Sequence, residues 1–164
     1  MTKFRLKVGL VLAFTAPLIA CVEGETLTLP EPSYEAFQRD VYPVLLQDCA
    51  FATCHGNPDR FFHVFGPGRQ RIDEVIVNDQ GEEEVVVTQF YYSNATEQEL
   101  EESYHRTRAM LNTDSTQDVS QSPLLRKPLE GVGHAGIDRW GRNVYANKND
   151  PNYIRLLKWA KGES

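Results

Sequence analysis

The segment CAFATCH, residues 49–55, constrains this chain more than any other part of its sequence. It places Cys49, Cys54 and His55 close together along the backbone. Residues three apart share one face of a helix, whereas residues five apart do not. The four residues between the cysteines include no glycine, which would ease a sharp turn. If the two thiols act on one group, the sequence predicts that the residues between them bulge out.

Three kinds of chemistry use these residue types at close spacing. Two thiols followed directly by a histidine can attach a c-type haem and ligate its iron through the imidazole of His55. The usual spacing has two residues between the cysteines, and here there are four. Alternatively, Cys49 and Cys54 form a small disulfide, worth roughly 2 kcal/mol for so short a loop. A zinc site is less favoured, because no second ligand pair occurs at zinc-finger spacing.

The N-terminus predicts export. Lys3, Arg5 and Lys7 precede a short apolar run, and LIAC, residues 18–21, ends in a cysteine. This order is typical of a secretion signal. The apolar run is shorter than the roughly 20 residues that a membrane-spanning helix needs. LIAC resembles the lipobox of bacterial lipoproteins, which implies that Cys21 becomes the lipid-bearing first residue of the mature chain.

Export limits the partners and the cysteine chemistry. With Cys21 lipidated, only Cys49 and Cys54 remain, in a compartment where disulfides persist. The chain has 17 basic and 23 acidic residues, a formal net charge of −6, and the charged residues of the expected signal are all basic. An acidic surface argues against nucleic acid as a partner. We expect a lipoprotein of the bacterial cell envelope, facing the periplasm or at the surface, anchored to a membrane through Cys21.

Helical signals occur in two places before residue 112. Apolar residues at helical spacing follow Ser33, a candidate N-cap, and Pro43 should interrupt that helix near Val41. A second helix is predicted to begin at a capping box formed by Thr96 and Glu99. The first of these helices leads directly into the Cys-His motif.

A β-hairpin and a C-terminal helix complete the predicted elements. The hairpin covers residues 71–92 around the turn signal at 78–81. Asp150 is the N-cap of the last helix, Pro151 its first residue, and Gly162 follows its end. The predicted organisation is a signal peptide over 1–20, a lipidated N-terminus and linker over 21–33, and one mainly helical domain with an inserted hairpin over 34–164.

The remaining aromatic and histidine residues allow more than one interpretation. Phe61, Phe62 and Phe65 fall in a loop rich in glycine, proline and arginine, where they would wall a porphyrin or belong to an ordinary core. His63 and His105 have no supporting context, so we expect them to be solvent-exposed or simply hydrogen-bonded.

Two stretches together, about 34–56 and 122–162, resemble the planctomycete-type cytochrome c domain. In that family an apolar helix leads into a Cys-His haem motif, as residues 37–55 do here. Later, SPLLRKPLEGVGHAG and DPNYIRLLKWAKG are similar to the family's C-terminal half. The matching positions are Ser122, Leu124, Leu125, Lys127, Pro128, His134, Tyr153, Trp159 and Gly162. The Cys-x4-Cys-His spacing also resembles the variant haem motif of some tetrahaem cytochromes from sulfate reducers.

The resemblance implies a small cytochrome c-like helical domain that carries one haem c and transfers single electrons, without substrate turnover. Cys49 and Cys54 would hold the haem, with His55 as the proximal and His134 as the distal ligand, and Met110 is the alternative distal ligand. The glycines around His134 would let backbone approach a porphyrin closely. Imidazole in place of a thioether lowers the reduction potential, so a low-potential carrier is expected. Redox proteins of the cell envelope would be its partners.

A competing interpretation keeps the fold and removes the haem. A lipoprotein braced by a Cys49–Cys54 disulfide would act as a structural or interaction module. The two interpretations predict different geometries. A disulfide brings the sulfur atoms to about 2 Å, whereas haem attachment keeps the thiols apart and places His55 opposite His134 across an apolar slot.

Overall fold

The computed structural model describes residues 30–86, 91, 93–112, 118–134, 137 and 140–163. The expected signal peptide over 1–20, the lipidation site Cys21 and the linker up to residue 29 lie outside this part. The described part is mainly helical with little strand, as the sequence predicts. No helix in these ranges is both long enough and apolar enough to cross a membrane. The helical elements are α1 (Tyr34–Ala36), a π-helical turn (Phe37–Val41), α2 (Tyr42–Asp48), α3 (Glu97–Ala109), a 3₁₀ turn (Val119–Gln121), α4 (Pro123–Arg126) and α5 (Pro151–Ala160), and the strands are β1 (Glu74–Val77) and β2 (Glu83–Val86).

The first helical region begins and changes form where the sequence predicts. The Oγ atom of Ser33 accepts a hydrogen bond from Ala36 N at 3.2 Å. Instead of a kink, a π-helical turn joins α1 to α2, and Pro43 lies in the first turn of α2. Proline has no N–H to donate to the preceding turn, so the helix is free to widen there. The wider turn keeps Phe37 and Val41 fully buried.

The predicted hairpin forms, with strands of four residues each. β1 and β2 pair in antiparallel register, from Glu74 opposite Val86 to Val77 opposite Glu83. In the connecting turn Gly81 has a φ of 78°, a left-handed conformation that glycine adopts without strain. The ends of the predicted hairpin, residues 87–90 and 92, lie outside the described residues.

The predicted capping box at the start of α3 is confirmed. Thr96 Oγ1 accepts from Glu99 N at 3.2 Å, and Thr96 N donates to Glu99 Oε2 at 3.0 Å. The carboxylate of Glu99 is completely buried and also pairs with the guanidinium of Arg71, with Nε–Oε1 at 2.7 Å. Ile72 N donates to the same Oε1 at 3.0 Å. Glu99 therefore ties the loop before β1 to the first turn of α3.

The core joins the two ends of the described chain. The ring of Phe37 packs at 5.5 Å from that of Tyr104 and at 5.6 Å from that of Trp159, between ring centroids. Trp159 Nε1 donates to Ser33 O at 2.9 Å, and Tyr104 donates its hydroxyl to Pro32 O at 2.8 Å. Helix α5, whose predicted N-cap and terminal glycine are confirmed, thereby packs against the π-helical turn and α3.

Candidate functional site

The residues of the Cys-His motif form a tight turn directly after α2. Cys54 N donates to Phe51 O at 2.8 Å, and His55 N donates back to Cys49 O at 3.1 Å. Gly56 N also donates to Phe51 O, at 3.0 Å. These bonds close the backbone on itself, and Cys49 and Cys54 both border one cavity. Of the residues between them, Ala50 is buried in the core, whereas those at 51–53 are exposed, so the predicted bulge forms only in part.

The glycine that permits this turn follows the motif. A Cβ atom on Gly56 would lie far inside van der Waals contact of the carbonyl oxygen of Ala50 and 3.0 Å from that of Phe51. Gly56 is buried, and only a glycine lets the backbone approach so closely. The glycine that eases the turn is thus not between the cysteines but directly after His55.

The four predicted haem-binding residues and the alternative ligand Met110 border a single cavity of about 1310 Å³. This volume exceeds the roughly 300–1,000 Å³ of a typical small-ligand pocket, so there is room for a flat macrocycle. Exposed residues, among them Thr53 and Arg60, form part of the lining, so the cavity opens on the surface. The residues predicted as site residues that line it are Cys49, Cys54, His55, His134 and Met110.

His55 has a defined neutral form. Its Nδ1 lies 2.8 Å from Phe62 O, and a carbonyl can only accept, so Nδ1 carries the proton and Nε2 keeps its lone pair. The Phe62 ring packs at 4.5 Å from the imidazole, between centroids. Burial is the main cause that lowers the pKa of His55, which keeps the ring neutral. A neutral imidazole with a free Nε2 is the form that binds a metal.

His134 lies beside His55 in the lining of the cavity, and the two rings are stacked. The ring centroids are 6.0 Å apart and the planes differ by 18°. A metal–imidazole bond is about 2.0 Å, and a ring centroid lies about 1 Å behind its ligating nitrogen, so two imidazoles on opposite sides of one ion have centroids about 6 Å apart. The observed separation matches that value. Because the lone pair of each Nε2 lies in its own ring plane, the stacked rings would have to turn end-on to bind one ion.

The two cysteines border the cavity as thiols. Neither Cys49 nor Cys54 takes part in a disulfide. Burial, followed by the nearby charges of Asp48 and Cys54, raises the pKa of Cys49 to about 12. The Cys49 thiol is therefore protonated near neutral pH in the metal-free chain, and a coordinating metal ion would displace that proton. Within the described ranges, no group of three or more His, Cys, Asp or Glu residues is arranged to hold a metal ion.

The two alternatives for the loop phenylalanines apply to different residues. Phe61 and Phe62 line the cavity. Phe65 is not among the lining residues, and its ring packs against His63, at 4.3 Å between centroids. His63 is buried and its Nδ1 lies 2.7 Å from Asn57 O, and His105 is exposed, so neither departs from the expectation of an exposed or hydrogen-bonded histidine.

The family-like stretch from residue 122 supplies much of the opposite wall. Leu124 of α4, Lys127 and Pro128 line the cavity, and Gly133 lies beside His134 in the lining. Of the glycines expected to aid close approach, Gly131 adopts a φ of 79°, and Gly136 lies outside the described residues. Cations also border the cavity, namely Arg60, Lys127 and Arg142.

Asn143 is the site residue that the sequence analysis missed. Its Oδ1 lies 3.2 Å from His134 Nδ1. A lone asparagine nine residues after a histidine carries no periodic or motif signal, so nothing in the sequence marks it. Only the fold of the loop between α4 and α5 brings the two side chains together.

Comparisons with family models, with curated proteins and with solved structures give no match. The description of the protein therefore depends on its own fold and cavity. It is a mainly helical domain with a surface cavity bordered by two thiols and by two near-parallel imidazoles.

Proposed function

We propose that this protein is a cytochrome c-like electron-transfer lipoprotein of the bacterial cell envelope that carries one haem c. Cys49 and Cys54 would form the two thioether bonds, His55 would be the proximal ligand and His134 the distal one. The observation that carries the proposal is the 6.0 Å separation of two near-parallel imidazoles on a cavity that both thiols border.

The ligands that line the cavity fit a haem better than an isolated metal ion. A porphyrin supplies four nitrogen ligands itself, so two imidazoles from the protein complete the coordination. The aromatic ring of Phe62 and the side chain of Leu124 offer the apolar surface that a macrocycle needs. The cations Arg60 and Lys127 suit a group that carries carboxylates.

Each residue has a defined task in this proposal. The bound haem would supply the one-electron chemistry. His55 and His134 would ligate the iron through Nε2, because each Nδ1 faces a hydrogen-bond acceptor. Two imidazole ligands favour a low reduction potential. With both His55 and His134 as ligands, the iron would have no position left for a substrate, and so the proposal includes no turnover.

Met110 is the alternative distal ligand. It is half-buried, follows α3 and lines the same cavity. The close approach of the two imidazole rings favours His134. A strongly positive midpoint in a potentiometric titration would instead support Met110, since thioether ligation raises the potential.

An absorption spectrum tests haem attachment. The exported chain is co-expressed with a c-type haem maturation system, and spectra are recorded before and after dithionite, with haem staining of a denaturing gel. A sharp Soret band, an α-band and stain that survives denaturation are expected, because thioether bonds resist denaturation. Cys49→Ser and Cys54→Ser should each weaken the stain. A colourless protein without free thiols would support the haem-free module with a Cys49–Cys54 disulfide.

Ligand variants test the axial assignment. His55→Ala and His134→Ala should each convert the spectrum from low-spin to high-spin, because each removes one strong-field ligand. His105→Ala is the matched control, since His105 is exposed and does not line the cavity. An unchanged low-spin spectrum in His134→Ala together with a high-spin spectrum in Met110→Leu would overturn the assignment of His134.

The location of the protein is a separate part of the proposal. We infer a lipid anchor at Cys21 and redox proteins of the envelope as partners. Metabolic labelling with a fatty-acid analogue should mark the wild-type chain and leave Cys21→Ser unmarked. After cell fractionation, the wild-type chain should be found with the membranes, whereas Cys21→Ser should not.

A further inference from the structure

The side chain of Asn143 is held by three backbone carbonyls. Its Nδ2 donates to Lys127 O at 2.8 Å, to Leu129 O at 2.8 Å and lies 3.2 Å from Val132 O. Carbonyl oxygens can only accept, so this end of the amide must be the NH₂ group. The loop after α4 therefore fixes which way the amide points.

The other end of the same amide faces two donors. Asn143 Oδ1 accepts from Val144 N at 2.9 Å and lies 3.2 Å from Nδ1 of His134. An amide oxygen can only accept, so His134 Nδ1 must carry the proton in this arrangement. The lone pair of the neutral ring is then on Nε2, the atom that remains for a metal.

The backbone around Asn143 is also held at both sides. Asn143 N donates to Glu130 Oε2 at 2.9 Å. Next to it, Glu130 N donates to Tyr145 O and Tyr145 N to Pro128 O, each at 2.9 Å, which makes a parallel bridge between the two segments. Asn143 cannot turn away from His134 without breaking several of these bonds.

We propose that Asn143 is a positioning residue that sets the tautomer and orientation of His134 before any ligand binds. The arrangement parallels that of His55, whose Nδ1 faces Phe62 O. A backbone carbonyl directs one imidazole and a side-chain amide directs the other, so both present Nε2. The role of His134 as a haem ligand rests on the proposed function, whereas the control of its tautomer does not.

The first test uses the protein without haem. The chain is expressed without a haem maturation system, and long-range ¹H–¹⁵N correlation spectra report which nitrogen of neutral His134 is protonated. The Nδ1–H tautomer is expected in the wild type. In Asn143→Ala we expect the Nε2–H tautomer, which predominates for free imidazole side chains, to appear. Asn149→Ala is the matched control, because Asn149 is exposed in the loop before α5.

The second test uses the haem-loaded protein. A ligating imidazole that donates from Nδ1 to a fixed acceptor is more basic, which stabilises the oxidised metal. Asn143→Ala should therefore raise the reduction potential and add a high-spin fraction, while Asn149→Ala changes neither. A merely structural role for Asn143 would lower thermal stability and leave the potential of the folded protein unchanged.

The outcomes separate the two proposals. An Nε2–H tautomer in the wild type, or an unchanged tautomer in a folded Asn143→Ala, would overturn the inference, even if the variant loses stability. Failure of the wild type to attach haem would overturn the proposed function, and the tautomer in the haem-free chain would still decide the role of Asn143.

Discussion

His55 and Cys49 are both partly buried, and this burial disfavours their charged forms. Burial lowers the pKa of the imidazole and raises that of the thiol. The two residues share a turn, yet the same physical cause shifts their pKa values in opposite directions, because one group is charged when protonated and the other when deprotonated. Both are therefore neutral near neutral pH.

The turn of the Cys-His motif is most sensitive to substitution at Gly56. Gly56→Ala would push a Cβ atom into the carbonyls of Ala50 and Phe51. Backbone atoms cannot swing aside as a flexible side chain can, so the turn must shift. We expect a loss of about 1–3 kcal/mol in the free energy of unfolding, typical of overpacking, measured by urea denaturation, together with less haem attached per chain.

Gly133→Ala is the matched control for this prediction. Gly133 also lines the cavity, but a Cβ atom there meets no neighbour within 4 Å. The free energy of unfolding of Gly133→Ala should stay within about 0.5 kcal/mol of the wild-type value. Equal losses in the two variants would show that the close approach at Gly56 is not what shapes the turn.

At the scale of elements, α3 and the segment before β1 are joined by one buried carboxylate. Burial is the largest influence on Glu99 and alone would raise its pKa. The hydrogen bonds from Arg71, Thr96 N and Ile72 N outweigh burial, so the pKa of Glu99 lies below its ordinary value. A group whose pKa is lower in the folded state stabilises that state when it is ionised.

Glu99→Gln should destabilise the protein strongly. It removes the charge opposite the largely buried guanidinium of Arg71, a change that typically costs about 3–5 kcal/mol. In the wild type, the contribution of Glu99 is present above the pKa of the unfolded chain and is lost as pH falls through the lower folded pKa. Urea denaturation between pH 7 and pH 3 should therefore show a smaller acid loss of stability in Glu99→Gln than in the wild type.

Glu101→Gln provides the comparison on the same helix. Glu101 is exposed on α3. The free energy of unfolding of Glu101→Gln should lie within about 0.5 kcal/mol of the wild-type value. Its loss of stability between pH 7 and pH 3 should match that of the wild type. A Glu99→Gln protein that behaved like Glu101→Gln would contradict the role given to the buried pair.

At the scale of the whole molecule, the two tryptophans have opposite surroundings. Trp159 is fully buried against Phe37 of the π-helical turn and Tyr104 of α3, whereas Trp140 is 64% exposed. Trp159→Ala should cost about 3–5 kcal/mol of unfolding free energy, since it leaves a large cavity in the core. It also removes the hydrogen bond to Ser33 O, which links the two ends of the domain.

Trp140→Ala serves as its control. The ring of Trp140 contacts the guanidinium of Arg142 at 4.9 Å, an exposed cation–π contact worth about 0.5–1 kcal/mol. Thermal and urea unfolding of the two variants should therefore differ several-fold in their loss of stability. Similar losses in both would mean that the core around Trp159 does not hold the domain together.

The amino-acid sequence alone determined the features that depend on near neighbours along the chain. Ser33, Thr96 and Asp150 begin helices as predicted, and the turn around Gly81 closes the predicted hairpin. The interruption at Pro43 was predicted too, although its form, a π-helical turn, was not. Caps and turns are set by hydrogen bonds between residues only a few positions apart, so a local pattern is sufficient to reveal them.

The geometry of the site depends on tertiary packing. The sequence nominated His55 and His134, but their 6.0 Å separation depends on how the loop after α4 packs against the turn of the Cys-His motif. The fold of that loop also brings Asn143 to His134, and a separate contact with His63 holds the ring of Phe65. Contacts between residues far apart along the chain arise from the packing of whole elements, and no periodicity or motif within one segment encodes them.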